Sequence, residues 1–426
     1  MGCFTHTLQP VAKLATAHSN TGIAARRFCP SPAPDGRKIG PRRDATVVNW
    51  KVPLADVAVD DELLTAAREA LASGWWSMGP RVQAFEEAFA DFCGASHAVA
   101  VANGSAALHL ALLAVGCGKG DEVVLPSLNF VAAANAVHHV GATPVFCDVV
   151  GPDDLTMDPA DVEAALSDAT RAIVVMHYGG FACRMDEIRE VADGHRAAIV
   201  EDAAHAPGAT YKGRLCGTLG DAACFSFFAN KNLPVGEGGM LVTADDELAS
   251  RLRLLRSHGM TTLTWDRQRG HAAGYDVVTP GFNYRLDEPR AAIGLVQLSR
   301  VREENDRRRA IASRYREGLH DRKGLTMPFG DSARHEASAH HLAVVLLPRG
   351  VGRDPVREDL QRAGIQTSVH YPPIHCFSYY SRSDQRPLPR TGEVAPRLLT
   401  LPLYGGLEDD QVEAVIGGVL AAVERG

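Results

Sequence analysis

From Val48 onward the chain alternates apolar runs of four to seven residues with amphipathic segments of ten to fifteen, and this rhythm limits what it can fold into more than any other feature. A strand covered on both faces is apolar throughout, and the amphipathic segment after it has one apolar side to lay against it. Repeated, the pair predicts an α/β fold with a mostly parallel sheet flanked by helices. Seven strands are expected, over His97–Asn103, Glu122–Leu125, Pro144–Asp148, Ala172–His177, Ala197–Glu201, Ala222–Phe227 and Met240–Thr243. Pro80 opens a helix with Val82, Phe85, Phe89 and Phe92 at helical spacing. Leu286–Leu319, rich in Arg, Glu and Ala, reads as one long helix or two joined ones leading out of the large domain. A strand over His341–Leu347, a helix near Pro355–Ala363 and a last amphipathic helix from Glu408 describe a smaller C-terminal α/β unit. The expected division is a tail over 1–45, a large domain over 46–300 and a small domain over 301–426.

Composition narrows the class. Of 426 residues, 46% are hydrophobic and 22% charged, which fits a soluble globular protein. Forty-four Lys and Arg against 51 Asp and Glu leave a net charge of -7, so the chain has no electrostatic footprint for nucleic acid or an anionic membrane. An anionic substrate must be held by a local cluster. The uncharged stretch Ala95–Gly118 is long enough to span a bilayer, but Asn103-Gly104-Ser105 and His109 break it, and it reads as strand, turn and helix. Nine cysteines without a CxxC pair point to a reduced, cytoplasmic chain. Residues 1–45 carry seven Lys and Arg against Asp35 and Asp44, with Pro30, Pro32, Pro34 and Pro41. That composition suits a flexible tail, a targeting segment or an over-extended start, and it lacks the apolar core of a secretory signal; a tail is the expectation.

Chemistry concentrates in two places. Ile199-Val-Glu-Asp-Ala-Ala-His205 is an apolar strand ending in a carboxylate, and ligands of open α/β sheets collect at such ends, so Asp202 is placed to face one. An isolated Glu-Asp also serves as a cap or turn. Lys231 follows the run Cys224–Phe228 and precedes the glycine-dense Val235-Gly-Glu-Gly-Gly-Met240. A lone loop lysine is ordinarily solvated surface. One framed by apolar residues suits a Schiff-base lysine, because an amine must lose its proton to attack a carbonyl and an apolar setting lowers its pKa. Walker, GxGxxG and HExxH patterns are absent, and His370 and His375 lack further ligands at metal spacing.

Asp202, His205, Ser226 and Lys231, with their intervals and neighbours, resemble the DegT/StrS family of sugar aminotransferases, fold-type-I enzymes that use pyridoxal 5'-phosphate. From Val52 onward, Ser73-Gly-Trp-Trp-Ser-Met-Gly-Pro80, Asn103-Gly-Ser-Ala-Ala-Leu-His-Leu-Ala111, Pro126-Ser-Leu-Asn-Phe130, His177-Tyr-Gly-Gly180, Gly281-Phe-Asn-Tyr-Arg285, His370-Tyr-Pro-Pro-Ile-His375 and Leu401-Pro-Leu-Tyr404 match in order. The resemblance implies that Lys231 attaches the cofactor and then carries protons, while Asp202 pairs with the pyridinium nitrogen. It implies further that His205 lies near the phenolic oxygen, that Gly104, Ser105 and Ser226 hold the phosphate, and that Phe130 stacks on the ring. Asn283 matches an asparagine lent to the neighbouring subunit's phosphate, which implies a homodimer. Arg285 is the charged residue for a donor carboxylate or other substrate anion, with a surface salt bridge as the alternative. His370 and His375 are expected near substrate in the small domain, or merely packing there, and Tyr371 of the same matched stretch is expected at the substrate.

Phe228-Ala-Asn230 departs from the commoner His/Tyr-x-Thr/Gly, and His205 stands where glutamine is frequent. Related dehydratases carry histidine at the lysine position, so Lys231 argues against their chemistry. The segment Leu255–Asp276 exceeds a minimal member. The implied function is transfer of an amino group from L-glutamate or L-glutamine to a nucleotide-linked keto-deoxysugar, first a 4-keto-6-deoxyhexose, then a 3-ketosugar or a ketocyclitol of the scyllo-inosose type. The rival from another class is a non-catalytic protein binding cofactor or sugar on the same fold, against which Asp202 and Lys231 both speak.

Overall fold

The apolar runs pair edge to edge into one sheet in the computed structural model, which describes residues 50–262, 265, 274–381 and 386–425. The expected tail and part of the Leu255–Asp276 segment lie outside the described residues. The strands are β1 His97–Val101, β2 Glu122–Pro126, β3 Thr143–Cys147, β4 Thr170–Met176, β5 Ala198–Asp202, β6 Ala222–Ser226 and β7 Gly239–Thr243. They lie in the order β1-β7-β6-β5-β4-β2-β3. Strand β7 runs antiparallel to both neighbours, and every other pairing is parallel. The carboxyl ends of β1 to β6 therefore meet at one edge of the sheet, together with the start of β7. All seven expected strands form.

The helices that position this sheet are α1 Asp61–Ala72, α2 Pro80–Cys93, α3 Gly104–Ala114, α4 Ala132–His139, α5 Pro159–Ala165, α6 Met185–His195 and α7 Asp246–Arg256. Side chains alternate along a strand, so each face of the sheet needs its own cover. On one face Ile199, Ala223, Phe225 and Phe227 pack with α2, α5 and α6. On the other, Val200, Ala222 and Cys224 pack with α3, α4 and α7. The phenylalanines of α2, Phe85, Phe89 and Phe92, recur at four and three residues, and two of them meet Phe225 and Phe227, with ring centroids 5.0 Å apart for Phe89 and Phe225 and 5.3 Å for Phe85 and Phe227. This pins β6 with Phe225 and Phe227 turned to α2, so the intervening Ser226 turns to α3. The uncharged stretch Ala95–Gly118 holds β1, a turn and α3, and among the described residues no helix is long and apolar enough to cross a membrane.

Leu286–Leu319 becomes one 32-residue helix, α8 Glu288–Leu319, whose first turn is capped by Asp287 accepting the Arg290 N–H. Ala291, Leu298 and Val301 enter the core beside the sheet, while Ile311, Tyr315 and Leu319 enter a C-terminal core. That second core is closed by the antiparallel pair β8 Ala343–Leu346 and β9 Leu398–Leu401 with helices α9 Arg353–Arg362 and α10 Asp409–Arg425. Residues 49–426 cluster as one compact unit, and position 300 lies inside α8.

Candidate active site

Strand β5 delivers Asp202 to the carboxyl edge, where it is 7% exposed and accepts the Ala204 N–H at 3.3 Å. Burial raises its carboxyl pKa, and the charge of Lys231 and the Ala204 N–H only partly oppose that. Asn129 from the loop after β2 spends its Oδ1 on the Phe130 N–H at 2.6 Å. Its buried Nδ2 stands beside Asp202, whose charged form it favours.

Lys231 sits in the turn after β6, held by its N–H on the Phe228 carbonyl at 2.8 Å and by the Val235 N–H on the Phe227 carbonyl at 2.9 Å. Its side chain is half-buried. Enclosure lowers the ammonium to about 8 although the Asp202 carboxylate pulls the other way. With that value about a tenth of the amine is free at neutral pH. The Nζ lies 3.5 Å from Nε2 of His341.

Three imidazoles surround this amine, and burial with the lysine charge holds all of them below the ordinary histidine value: His205 and His341 well below it, His370 at about 4. His205 accepts the Gly179 N–H at Nδ1 over 3.3 Å, so its proton is on Nε2 and is donated to Tyr371 Oη at 2.9 Å. Both ring nitrogens are thereby committed to protein, and the unit offered to a ligand is the His205–Tyr371 pair. His370 turns Nδ1 to Thr400 Oγ1 at 3.0 Å, and its carbonyl accepts the Tyr178 hydroxyl. His375 is drawn instead to Ser127 Oγ, 2.6 Å from its Nδ1.

At the start of α3, Asn103 accepts the Ala106 N–H at its side chain over 2.8 Å and the Ala107 N–H at its carbonyl over 3.1 Å. The amides of Gly104 and Ser105 lie in the first turn, where a helix supplies no partner and carries its positive end. A Cβ on residue 104 would stand 2.8 Å from Ser226 Cβ, so glycine is what lets the helix start rest against the end of β6. Two amides, the Ser105 hydroxyl and the Ser226 hydroxyl thus form a cradle for an anion. Phe130, 56% exposed, lies with its ring centroid 5.8 Å from that of Tyr371.

The structure brings Gly104, Asp202, His205, Ser226, Lys231, His370 and Tyr371 to one edge. Asn283 stands apart: it is exposed and bridged to Ser257, with no hydrogen bond to the lysine group among the described residues. Arg285 lies against the end of β1, bridged to Val101, and its Nη1 is buried without a partner. Sequence reasoning did not single out His341, Asn232, Asn305, Asn129 or Tyr178. Only the Lys231-Asn232 pair offered a local signal.

A lysine of lowered pKa, a buried carboxyl at a strand end, a helix-start anion cradle and an exposed aromatic ring together fit a phosphorylated pyridine aldehyde. Comparison with known proteins agrees. Residues 57–420 match the DegT/DnrJ/EryC1/StrS aminotransferase family. The spore coat polysaccharide biosynthesis protein SpsC of Bacillus subtilis (strain 168) is 42% identical over 377 residues, 87% of this chain and 97% of that protein. The structure of S. venezuelae DesV in complex with a ketimine intermediate is 39% identical with a TM-score of 0.77, covering 86% of this chain and 95% of that one. DesI, solved in the presence of its TDP-sugar product, is 35% identical with a TM-score of 0.80, covering 90% and 95%.

Proposed function

The chain belongs to the DegT/DnrJ/EryC1/StrS aminotransferase family, whose enzymes depend on pyridoxal phosphate, and from that premise we propose that it moves an amino group from L-glutamate or L-glutamine to the keto carbon of a nucleotide-linked deoxysugar. A 4-keto-6-deoxyhexose is the substrate argued for first, a 3-ketosugar or ketocyclitol second. The observation that carries this reading is the convergence of Lys231, lowered to about 8, with the buried Asp202 beside an anion cradle. The TDP-sugar product of DesI supports the nucleotide-linked class.

Pyridoxal 5'-phosphate bound here supplies an electrophilic carbonyl and an electron sink. Gly104, Ser105 and Ser226 would hold its phosphate, Phe130 would flank the ring, and Asp202 would keep a proton on the ring nitrogen. Lys231 Nζ would be the group that takes a proton from the donor carbon and carries it, which its lowered pKa of about 8 suits. His205 and Tyr371 orient the phenolic side. The unpartnered Nη1 of Arg285 suits a substrate anion, and the neutral His370 lines the approach. Asn283 would act from a second copy, making the enzyme a homodimer with large and small domains meeting at each site. All seven described cysteines are free thiols, which supports a cytoplasmic setting.

The test is a screen of purified enzyme with glutamate or glutamine against nucleotide ketosugars and ketocyclitols, read by mass spectrometry. A single amino-sugar product with the matching 2-oxoacid supports the reading. A borohydride-fixed cofactor that maps to a residue other than Lys231, or survives in Lys231→Ala, would overturn the site.

A further inference from the structure

The amine of Lys231 ends a chain of buried neutral groups whose proton directions are all determined. Asn305 donates from Nδ2 to the Pro207 carbonyl at 2.8 Å, which leaves its Oδ1 as acceptor. Asn232 donates from Nδ2 to that Oδ1 at 2.8 Å and to the Ala339 carbonyl at 2.7 Å, which leaves its own Oδ1 as acceptor. His341 stands with Nδ1 2.9 Å from this oxygen, so its single proton is on Nδ1. Its Nε2 then carries a lone pair, 3.5 Å from Lys231 Nζ. Asn232, Asn305 and His341 are at most 5% exposed.

We propose that His341 is a positioning residue for Lys231: its Nε2, aimed by Asn232 and Asn305, accepts a hydrogen bond from the Lys231 amine and so directs that amine at the reacting centre. The inference rests on the reading of Lys231 above. When Lys231 is charged, the bond stabilises the ammonium. When it is neutral, one N–H stays on His341 and the nitrogen lone pair is turned away from it, toward the site. No proton needs to pass to His341, which burial, His205 and the lysine itself keep neutral. The other groups facing this pair are Asp202, His205 and His370 about the lysine and Arg308 about the imidazole. The three histidines titrate well below the lysine range.

The experiment reads the lysine itself in cofactor-free protein: acetic anhydride labelling of Lys231 as a function of pH, quantified by peptide mass spectrometry, with circular dichroism to confirm folding. His341→Leu should lower the pH of half-labelling by about one unit, a tenfold change in the equilibrium. His341→Gln, whose Oε1 occupies the Nε2 position, should restore the wild-type value, whereas His341→Asn, which reaches only the Asn232 side, should not. An unchanged midpoint in folded His341→Leu, or equal midpoints for the Gln and Asn variants, overturns the proposal. If the leucine variant does not fold, the Gln–Asn pair decides. The readout needs neither cofactor nor sugar, so failure of the aminotransferase reading leaves it interpretable.

Discussion

Glu201 and Asp202 are adjacent carboxylates with opposite fates, because consecutive side chains of a strand point to opposite faces. Glu201 is fully buried beneath the sheet, where His177 Nε2 lies 2.8 Å away and the N–H groups of Gly217, Leu219 and Gly220 donate at 2.8, 2.7 and 2.7 Å. Desolvation works to raise its pKa, but these donors outweigh it and hold the carboxyl low. Asp202 has one long backbone donor and is raised. The two should respond differently to loss of charge. Asp202→Asn removes a charge-assisted bond to a ligand and should lower pyridoxal phosphate affinity and turnover roughly ten- to a hundredfold with the urea midpoint unchanged. Glu201→Gln leaves buried donors and a histidine mismatched and should cost about 3–5 kcal/mol in urea unfolding. Equal effects of both variants on stability would contradict this division of roles.

At the level of elements, the anion cradle exists because α3 begins against the end of β6. The aromatic packing of α2 fixes the facing of β6, and Gly104 permits the approach. A methyl at 104 would meet Ser226 Cβ at 2.8 Å, an atom that cannot swing away without moving β6. Gly104→Ala is therefore expected to displace the helix start and weaken cofactor binding about tenfold, by absorbance titration, with helix content unchanged. Gly194 inside α6 is the control, since nothing lies within 4 Å of a Cβ there. Gly194→Ala should leave binding intact and add about 0.5–1 kcal/mol of stability by lowering the entropy of the unfolded chain.

For the whole molecule, buried neutral histidines make the fold acid-sensitive. His340 is 1% exposed, and burial and His335 lower it to about 3. The unfolded chain binds a proton there near 6.5, so the stability from keeping it neutral is complete above that pH and declines as pH falls toward the folded value. His340 alone should cost about 2 kcal/mol between pH 6.5 and 5, with His205, His341 and His370 acting in the same direction. Urea unfolding at the two pH values measures this, and a midpoint that rises on acidification would contradict it. Assembly gives a second test at this scale. If Asn283 serves a partner's site, mixing Lys231→Ala and Asn283→Ala subunits should restore activity, up to about half of wild type in each hybrid dimer, because one site then carries both lesions and the other none. Hybrids seen by native mass spectrometry without recovered activity would remove Asn283 from that role.

The sheet, its seven strands and the long helix were legible in the amino-acid order because their signals are local, apolar runs alternating with segments of period 3.6. The pairing of Asp202 with Lys231 was implied only by the family resemblance, since a carboxylate closing a strand and a lysine before a glycine-dense loop each have a commoner reading. The facing of Ser226 came from the structure, where Phe225 and Phe227 pack on α2 and leave the residue between them turned to α3. What the tertiary structure alone decided is which polar groups meet across long separations. His341 lies 109 positions from Asn232, Asn232 lies 73 from Asn305, and Tyr371 lies 166 from His205. No period or spacing links such residues. Their hydrogen-bond directions follow from the backbone carbonyls of Pro207, which meets Asn305 where α8 packs beside the loop after β5, and of Ala339, which meets Asn232 when the segment after α8 folds back.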